Sequence, residues 1–536
     1  MADYDAVLVG SGVNCLACGA LLARAGWRVC VLERNDWFGG AIKTAELTEP
    51  GFLHDVYSAW HPLWVGGGAH AELGDELAAR GLEYLNTDLP SATAFPDGSA
   101  SFLLRSVEGN AQELGPEWPA ALERLGANAD LAFAALGSEL WSPAGLALAA
   151  KAVRRLGRAG ALALLGEALQ SSRDWLETTF ASERAHGVLA PWVLHTGLGP
   201  DQAASGFMTQ VIALALQEGG MPVPRGGGAK LAEALVRLIR DHGGVCETDR
   251  DVERVLVRSG RAVGVRLSDG ETVEAERAVV AGVTPTQLYE RLLADADLPQ
   301  GVVEGARRFR YGRAEMQIHY ALSEPPRWEG DERLGRAAIV HLTAGLDGVS
   351  RAVNEAERGL LPAEATVVVG QPLALDPSRA PEGRGILWIQ LQELPWRIKG
   401  DAAGELEAGS GRWTDELRER YADRIQARLG RHIPNLEASI LQRVALGPHD
   451  LQRANVNLRH GDPYGGALAL DQNFLWRPFP ASPGHATPVE RLWHVGASTW
   501  PGPGLGAGSG TIVARKLLEP PLAQRALARA RALAGR

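Results

Sequence analysis

The feature that most constrains the fold is a short glycine turn near the start of the chain. Gly10-Ser11-Gly12 follows an apolar stretch, Tyr4 to Val9, that predicts a buried β-strand, and it precedes an apolar stretch, Val13 to Ala25, that predicts a helix. A second strand is predicted from Arg28 to Leu32, and Glu33 stands at its end. This order of strand, glycine turn, helix, strand and acid predicts a Rossmann unit that binds a dinucleotide.

Each part of this unit has a mechanical reason. Gly10 permits the tight turn, and Gly12 lets the backbone approach a pyrophosphate, whose charge is then held by the free N–H groups of the helix N-terminus. The usual third glycine is here Cys15, a small residue that still allows close packing of helix and strand. Glu33 is placed to accept hydrogen bonds from a pair of ribose hydroxyls. The contacts predicted for this unit are Gly10, Gly12, Val13, Asn14, Glu33 and Arg34.

The pair Gly39-Gly40, just after the acid, favours FAD over NAD. In flavoproteins such a pair lets a loop follow the pyrophosphate and the ribityl chain. The stretch 5–44 resembles the N-terminus of glutathione-reductase-type and amine-oxidase-type flavoproteins, and it resembles the phytoene desaturase-like branch more closely. The residues that carry this resemblance are Gly39-Gly40-Ala41-Ile42-Lys43-Thr44, Pro50-Gly51-Phe52, Asp55, Ser58 and His61.

Two later segments carry the same resemblance. The first is His494 to Thr499 with the glycine-rich turn up to Gly510, which resembles the closing FAD motif of the family, and the second is Pro224 to Gly228 with Asp251-Val252-Glu253. In the closing motif a helix N-terminus faces the flavin and stabilises negative charge on the reduced ring. The resemblance places Val252 against the adenine ring. The further cofactor contacts that it implies are Gly39, Gly40, Ala41, Thr44, Gly496, Ala497, Gly506, Gly508 and Ser509.

A chain of 536 residues is expected to form several lobes. We expect an α/β fold, with a Rossmann-type FAD-binding domain of the glutathione-reductase/amine-oxidase type, an inserted helical lobe and a mixed-sheet substrate lobe. The FAD-binding domain is predicted to comprise 1–88, 220–308 and 481–536, the last with a C-terminal helix. The helical lobe is assigned to 89–219, and the substrate lobe to 309–480. Within 220–308 the sequence predicts a helix over 229–242 and separate strands at 271–275 and 278–281.

Charge and cysteine content exclude other classes. A net charge of −10 argues against a general nucleic-acid partner, because phosphate binding needs concentrated Lys and Arg. Four cysteines, with no secretory leader before the first motif, predict a reducing, cytoplasmic setting without disulfides. Cys15 and Cys18 form a C-x-x-C, but no second pair stands at zinc-site spacing, so they are interpreted as packing residues and no metal is expected.

The resemblance implies an FAD-dependent desaturase or dehydrogenase that removes hydride from a C–H bond of a largely apolar small molecule. Alternatives are a double-bond isomerase or saturase that uses reduced flavin, and a flavin-binding interaction protein without turnover. The catalytic side chain is not identified. His61 lies near the predicted FAD loop, although an isolated histidine is more often an ordinary hydrogen-bonded side chain. Since no second Rossmann turn is present, electrons are expected to pass to oxygen, a quinone or another diffusible acceptor.

The helical segment leaves two further questions open. The stretch Pro143 to Leu169 combines Leu- and Ala-rich turns with Lys151, Arg154, Arg155 and Arg158, which suits a helix lying at a membrane interface. The alternative, which we favour, is a solvated helix whose apolar side faces the core, so at most peripheral membrane contact is expected.

Four tryptophans are spread through the helical lobe, 89–219: Trp118, Trp141, Trp175 and Trp192. They either line a substrate tunnel or, as we favour, pack the core.

Overall fold

The computed structural model describes residues 2–520, and the predicted Rossmann unit lies at the middle of its first large sheet. The parallel strands follow the spatial order Val245–Glu247, Val29–Leu32, Tyr4–Val9, Thr272–Ala281 and Leu492–His494. Two antiparallel strands, Val252–Arg258 and Arg261–Leu267, continue from Thr272–Ala281. Strands from 1–88, 220–308 and 481–536 therefore meet in this sheet.

A second large sheet is mostly antiparallel. Its strands follow the order Ile440–Leu446, Ala314–Leu322, Gly385–Leu394, Val367–Gly370, Ile339–Leu342, Ser91–Ala94 and Ala100–Leu103. Short strands also pair outside the two sheets: Thr44–Glu46 with Leu53–Asp55, Tyr84–Leu85 with Val223–Pro224, and Leu360–Leu361 with Gly400–Asp401.

Helices pack against the first sheet, and helices also make up most of the stretch 107–219. The α-helices are Val13–Arg24, Pro62–Val65, Gly68–Ala78, Val107–Leu114, Trp118–Ala127, Ala129–Leu136, Pro143–Leu169, Ser172–Thr179, Glu183–Leu189, Ser205–Gly219, Ala229–Asp241, Gln300–Arg307, Leu346–Glu357, Asp415–Gly430, Leu436–Ser439, Pro448–Ala454 and Gly508–Leu518. Shorter or irregular helical turns are Ala190–Thr196, Thr286–Leu292, Glu332–Arg336, Pro372–Ala374, Pro377–Arg379, Arg459–Gly461, Leu470–Gln472 and Phe474–Trp476.

The core of the first lobe lies between the parallel strands and two helices. Val13–Arg24 and Ala229–Asp241 pack their apolar sides against the sheet, and Leu16, Leu235 and Ile239 are completely buried there. The helix predicted over 229–242 is thus observed almost unchanged, since its apolar residues recur at helical spacing. The C-terminal helix ends at Leu518, and residues 521–536 of the segment predicted for it lie outside the described residues.

Two stretches differ from the sequence-based expectation. We expected separate strands at 271–275 and 278–281, but the structure has one continuous strand, Thr272–Ala281. Its first half pairs with Arg261–Leu267 and its second half with Tyr4–Val9, so one strand serves both parts of the sheet. The beginning of the segment expected to be helical instead forms Ser91–Ala94 and Ala100–Leu103, because pairing with Ile339–Leu342 outweighs the local preference for helix.

The segment Pro143–Leu169 is helical, with a break at Gly157 (φ 68°, ψ 170°), and none of its residues is buried. The apolar side that we expected against the core is largely exposed: Leu146 is 74% exposed and Leu162 is 59% exposed. Within residues 2–520, no helix is long and apolar enough to cross a membrane.

The four tryptophans of the helical lobe have different environments. Trp118 and Trp175 are buried in the helical core, Trp192 is buried there and also borders a cavity, and Trp141 is exposed.

Candidate functional site

A cavity of about 380 Å³ extends from the glycine turn of the first sheet to one face of the second sheet. Its wall at the first sheet is mostly backbone, from Gly10, Gly12, Gly39 and Gly40. Its wall at the second sheet consists of side chains. The cavity therefore has one end suited to a cofactor that approaches the backbone and one end suited to a bulky molecule.

The helix Val13–Arg24 begins at the floor of the first end. Its first intrahelical hydrogen bond runs from the Leu16 N–H to the Gly12 carbonyl (3.0 Å), so the N–H groups of the first helical turn, 13–15, make no intrahelical hydrogen bond. Gly10 has φ 91°, a left-handed value that favours glycine. A Cβ atom added to Gly12 would meet no other atom within 4 Å, so the space in front of this glycine is open to a phosphate group.

Glu33 is held rigidly beside this turn. Its Oε2 atom accepts hydrogen bonds from the backbone N–H (2.9 Å) and the hydroxyl (2.7 Å) of Ser11, and its Oε1 atom accepts one from the Asn35 N–H (3.0 Å). The Ser11 hydroxyl also accepts a hydrogen bond from the Gly39 N–H (3.2 Å). Glu33 thus joins the glycine turn to the Gly39-Gly40 loop while it borders the cavity, where it can accept from a ribose.

The replacement of the usual third glycine by Cys15 is accommodated by a glycine in a neighbouring strand connection. A Cβ atom on Gly282 would lie 2.4 Å from Cys15 Sγ, so only glycine at position 282 leaves room for the thiol. Cys15 and Cys18 are both buried, and burial raises the pKa of each thiol, to about 12 for Cys18. This is the packing role that we predicted for them.

The closing motif meets the glycine turn at the same cavity. Gly496 (φ 118°) and Ala497 line it, and the Gly496 N–H donates to the Ser509 hydroxyl (3.1 Å). The helix Gly508–Leu518 starts against the first helix, because the Gly510 N–H donates to Asn14 Oδ1 (3.2 Å). The hydrogen bond between Gly510 and Asn14, which are 496 positions apart in sequence, therefore brings the starts of these two helices together.

The structure brings most of the predicted cofactor residues to this cavity. Those that line it are Gly10, Gly12, Val13, Asn14, Glu33, Arg34, Gly39, Gly40, Ala41, Val252, Gly496 and Ala497. Those predicted residues that do not line it are Thr44, Gly506, Gly508 and Ser509. The last three lie in the turn and helix start behind Gly496, where Ser509 supports the loop through its hydroxyl.

Thr44 belongs instead to a buried ionic network. Its hydroxyl donates to Asp55 Oδ1 (2.7 Å) and accepts from the Ala229 N–H (3.1 Å). Asp55 also pairs with Arg379, whose guanidinium is completely buried and reaches Asp376 Oδ2 (3.2 Å). This network fastens the 44–55 hairpin to the start of the helix Ala229–Asp241, and so it fixes the loop that carries Gly39 and Gly40.

His61, the predicted acid–base candidate, is completely buried and is not among the residues that line the cavity. Its Nδ1 atom lies 3.0 Å from the Tyr84 hydroxyl. Burial lowers the pKa of His61 to about 4, with Asp55 acting in the opposite sense, so its imidazole is neutral at pH 7. The contact with Tyr84 favours the alternative stated above, a hydrogen-bonded structural histidine, and a catalytic role of His61 stays an untested prediction.

The second end of the cavity contains polar residues that the sequence analysis missed. They are Glu315, Gln317, Gln390 and Gln392 from two strands of the second sheet, together with Tyr464 and His195. The signal available in the sequence was the alternation Glu315-Met316-Gln317-Ile318-His319, which a half-buried strand shows. No local pattern indicated that its polar face borders a cavity.

His195 lies beside Trp192 in the wall of the cavity. Its Nε2 atom lies 3.1 Å from Nε2 of His341, and the ring of Trp192 lies 4.5 Å away between centroids. Burial lowers the pKa of His195 to about 3, and burial together with His195 lowers the pKa of His341 well below its usual value. Both rings are therefore neutral, and the wall around them carries no positive charge.

These residues fit FAD. Glycines, the N-terminus of the helix Val13–Arg24 and the fixed carboxylate of Glu33 suit a dinucleotide. Val252 and Arg291 mark the far end, where the Arg291 guanidinium donates to Asp251 (2.7 Å) and to the Val252 carbonyl (3.1 Å). Within residues 2–520, the one cluster with metal-ligand spacing comprises Asp415, His449 and Asp450, outside the cavity and paired with Arg418. The absence of a metal stays a prediction.

Comparison with known proteins identifies the family. Residues 16–440 match the family described as flavin containing amine oxidoreductase. Over 95% of this chain and 92% of its own length, the protein "Pyridine nucleotide-disulfide oxidoreductase domain-containing protein 2" of Mus musculus is 27% identical. A limonene dehydrogenase polypeptide of Castellaniella defragrans is 23% identical over 96% of this chain and 94% of its own. The zeta-carotene-forming phytoene desaturase of Myxococcus xanthus is 28% identical over 61% and 57%, respectively.

Solved structures show the same fold. An oxidoreductase from Methanosarcina mazei superposes with a TM-score of 0.60 at 15% identity, covering 95% of this chain and 99% of that one. Cyclohexylamine oxidase from Brevibacterium oxydans gives a TM-score of 0.56 at 18% identity, covering 96% and 98%. The predicted fold class, the cofactor FAD and the resemblance to phytoene desaturases are confirmed. The chain is an FAD-dependent oxidoreductase and belongs to the flavin-containing amine oxidoreductase family.

Proposed function

We propose that the protein is a dehydrogenase or desaturase that removes hydride from a C–H bond of a largely apolar small molecule. The observation that carries this proposal is the continuity of one cavity from the glycine turn to a wall of large apolar side chains. That wall comprises Trp60, Trp192, Ile212, Leu216, Met221, Ile339 and Trp388. Two relatives named for limonene and for phytoene-derived products support an apolar substrate.

Residues of the chain hold and shield the reactants. FAD, when bound, supplies the hydride acceptor, and we propose that the predicted cofactor residues that line the cavity hold it. The indole of Trp388 is fixed by its N–H, which donates to the Tyr57 carbonyl (3.0 Å), and the indole of Trp192 by its N–H, which donates to Ser91 Oγ (3.0 Å). These anchored aromatic rings orient an apolar substrate and exclude water from the reacting bond.

The test is anaerobic reduction of the purified yellow protein. We expect its flavin absorbance to bleach with a largely apolar, cyclic or acyclic molecule that contains an allylic C–H bond, because such a substrate contacts the apolar wall and gives up hydride. A product two hydrogens lighter supports dehydrogenation. A product of unchanged mass would identify isomerisation instead, and failure of every donor to bleach the flavin would favour a binding protein without turnover.

We propose that a diffusible molecule, oxygen or a quinone, accepts the electrons. Within residues 2–520, the full order of strand, glycine turn, helix, strand and acid occurs once, at 4–33. The glycines at 226–228 follow the short strand Val223–Pro224, which pairs outside the two large sheets, and a Cβ atom on Gly227 would clash with Thr44. We expect the photoreduced protein to be reoxidised by air or by a soluble quinone and to remain reduced with NAD⁺ or NADP⁺. Reoxidation by NAD(P)⁺ at a comparable rate would contradict this assignment.

The segment Pro143–Leu169 supports a proposed peripheral contact with anionic membranes. Lys151 and Arg155 are paired with Asp130 (3.0 and 2.7 Å), whereas Arg154 and Arg158 form no ion pair in the part of the chain that the structure describes. They stand among exposed leucines, an arrangement that suits the boundary between lipid headgroups and acyl chains.

Flotation with liposomes tests this contact. At low salt we expect the protein to float with anionic vesicles and the R154Q/R158Q variant to lose most of this binding, because each basic residue near the surface contributes about 1 kcal/mol. The matched control is R384Q, an exposed arginine in a distant turn, which should float as the parent does. Absence of flotation at low salt would leave the segment as ordinary lobe structure.

A further inference from the structure

The second sheet has one apolar face and one polar face. Met316, Ile318 and Tyr320 from the strand Ala314–Leu322 pack in the core of the lobe, and Leu387, Ile389 and Leu391 do so from its neighbour Gly385–Leu394. The intervening residues face the other way, because side chains alternate along a strand. Those that line the cavity are Glu315, Gln317, Trp388, Gln390 and Gln392.

A polar sheet face normally contacts water, but this one is enclosed. Glu315 is 4% exposed, Gln317 is 1% exposed and Gln392 is 2% exposed. Burying a carboxyl and two amides costs free energy unless hydrogen bonds replace those made with water. The polar face therefore needs partners that lie inside the protein or inside the cavity.

The described residues supply only some of these partners. Gln392 Nε2 donates to the Tyr464 hydroxyl (2.9 Å), which in turn donates to the Leu194 carbonyl (2.7 Å). Within residues 2–520, Oε1 of Glu315, Oε1 of Gln317 and Oε1 of Gln392 have no hydrogen-bond partner. The terminal torsion is soft for amides and carboxyls, so the carboxyl of Glu315 and the amide of Gln317 could turn either polar atom towards a bound molecule.

The charge of this wall restricts what it can bind. Burial, together with the nearby Asp462, raises the pKa of Glu315 well above its usual value and so favours the protonated carboxyl, which both donates and accepts. Of the three arginines that line the cavity, Arg250 and Arg291 are paired with acids at the Val252 end, and Arg34 follows Glu33 at the end of the first sheet. A wall of neutral donors and acceptors matches a neutral ligand group better than a carboxylate or an ammonium.

We propose that Glu315, Gln317 and Gln392 form a subsite that binds a neutral oxygen function, a hydroxyl or a carbonyl, on the otherwise apolar substrate. The inference rests on the proposed function, and it adds that the substrate is an oxygenated molecule rather than a pure hydrocarbon. The oxygen would fill the unused hydrogen-bonding capacity of the sheet, while the remaining carbon skeleton contacts Trp388 and the apolar wall beside it. The subsite thereby fixes the register of the substrate along the cavity.

The test is a binding titration of the oxidised holoprotein, monitored by perturbation of the flavin spectrum and requiring no turnover. The probes are benzyl alcohol, its methyl isostere ethylbenzene, benzylamine and benzoate. We expect benzyl alcohol to bind at least about tenfold more tightly than ethylbenzene, the ratio expected for one good hydrogen bond in a buried site. Benzylamine and benzoate should bind more weakly than the alcohol.

Substitutions in the second sheet test whether its side chains cause the preference for benzyl alcohol over ethylbenzene. E315L and Q392L should each reduce the ratio between alcohol and ethylbenzene to near one, whereas E315Q should keep it, because an amide retains a neutral donor and acceptor. The matched control Q442L changes a glutamine of the adjacent strand outside the cavity and should leave the ratio unchanged.

Equal affinity for the two isosteres, tightest binding of benzylamine or benzoate, or no spectral response to benzyl alcohol up to its solubility limit would each overturn the proposal. These outcomes are separate from a failure of the proposed function. A protein that shows the alcohol preference yet is reduced by no donor would retain the subsite and lose the dehydrogenase assignment.

Discussion

Replacement of Gly12 by valine is expected to abolish FAD retention, with a loss of affinity of at least about tenfold. The Cβ atom would enter the open space in front of the helix Val13–Arg24, where no atom other than those of its chain neighbours lies within 4 Å. That space is where we place the pyrophosphate, so the added Cβ atom would displace the cofactor and would not itself clash with the protein. The measurement is the ratio of FAD released on denaturation to protein.

A matched control distinguishes this effect from general damage. Gly126 also has open space around its missing Cβ atom, and it lies on the exposed side of the helix Trp118–Ala127. G126V should retain FAD as the parent does, since valine is at least as good a helix former as the glycine that it replaces. Unchanged FAD stoichiometry in G12V would refute the placement of the pyrophosphate.

Removal of the buried guanidinium in R379M is expected to destabilise the protein by roughly 3–5 kcal/mol. Asp55 and Asp376 have side chains that are 1% and 0% exposed, and the substitution would leave both without their shared cation. The Gly226 N–H, which donates to Asp376 (2.7 Å), and the Gly228 N–H, which donates to Asp55 (2.7 Å), compensate only part of this charge. Urea denaturation of the FAD-loaded protein measures the change.

If R379M fails to fold, a compensated variant keeps the prediction testable. D55N/D376N/R379M removes all three charges, so it should recover part of the lost stability, because the penalty comes from unpaired buried charge. The control R384M removes an exposed arginine from the following turn and should change stability by less than about 0.5 kcal/mol. A triple variant less stable than R379M would show that the network does not act through charge.

The glycine turn and the Arg379 network differ in how far apart in sequence their residues lie. The glycine turn, its helix and Glu33 lie within about thirty residues, so a strand pattern, a helix pattern and turn glycines sufficed to predict them. The single strand Thr272–Ala281 was divided wrongly, because its two halves pair with different partners that are distant in sequence. His61 was named for its proximity to the FAD loop in sequence, and the structure turns its ring to Tyr84 instead.

The sequence by itself therefore determined the nucleotide-binding end of this protein: the backbone cradle of Gly10, Gly12, Gly39 and Gly40 and the acid beside it. Only the tertiary structure decided the substrate end, where Glu315 and Gln392 come from different strands, and the network of Asp55 and Arg379, which are 324 positions apart. The physical reason is that a glycine turn is specified by conformational limits on neighbouring residues. A buried polar group is instead specified by the distant partners that enclose it, and no local pattern encodes those partners.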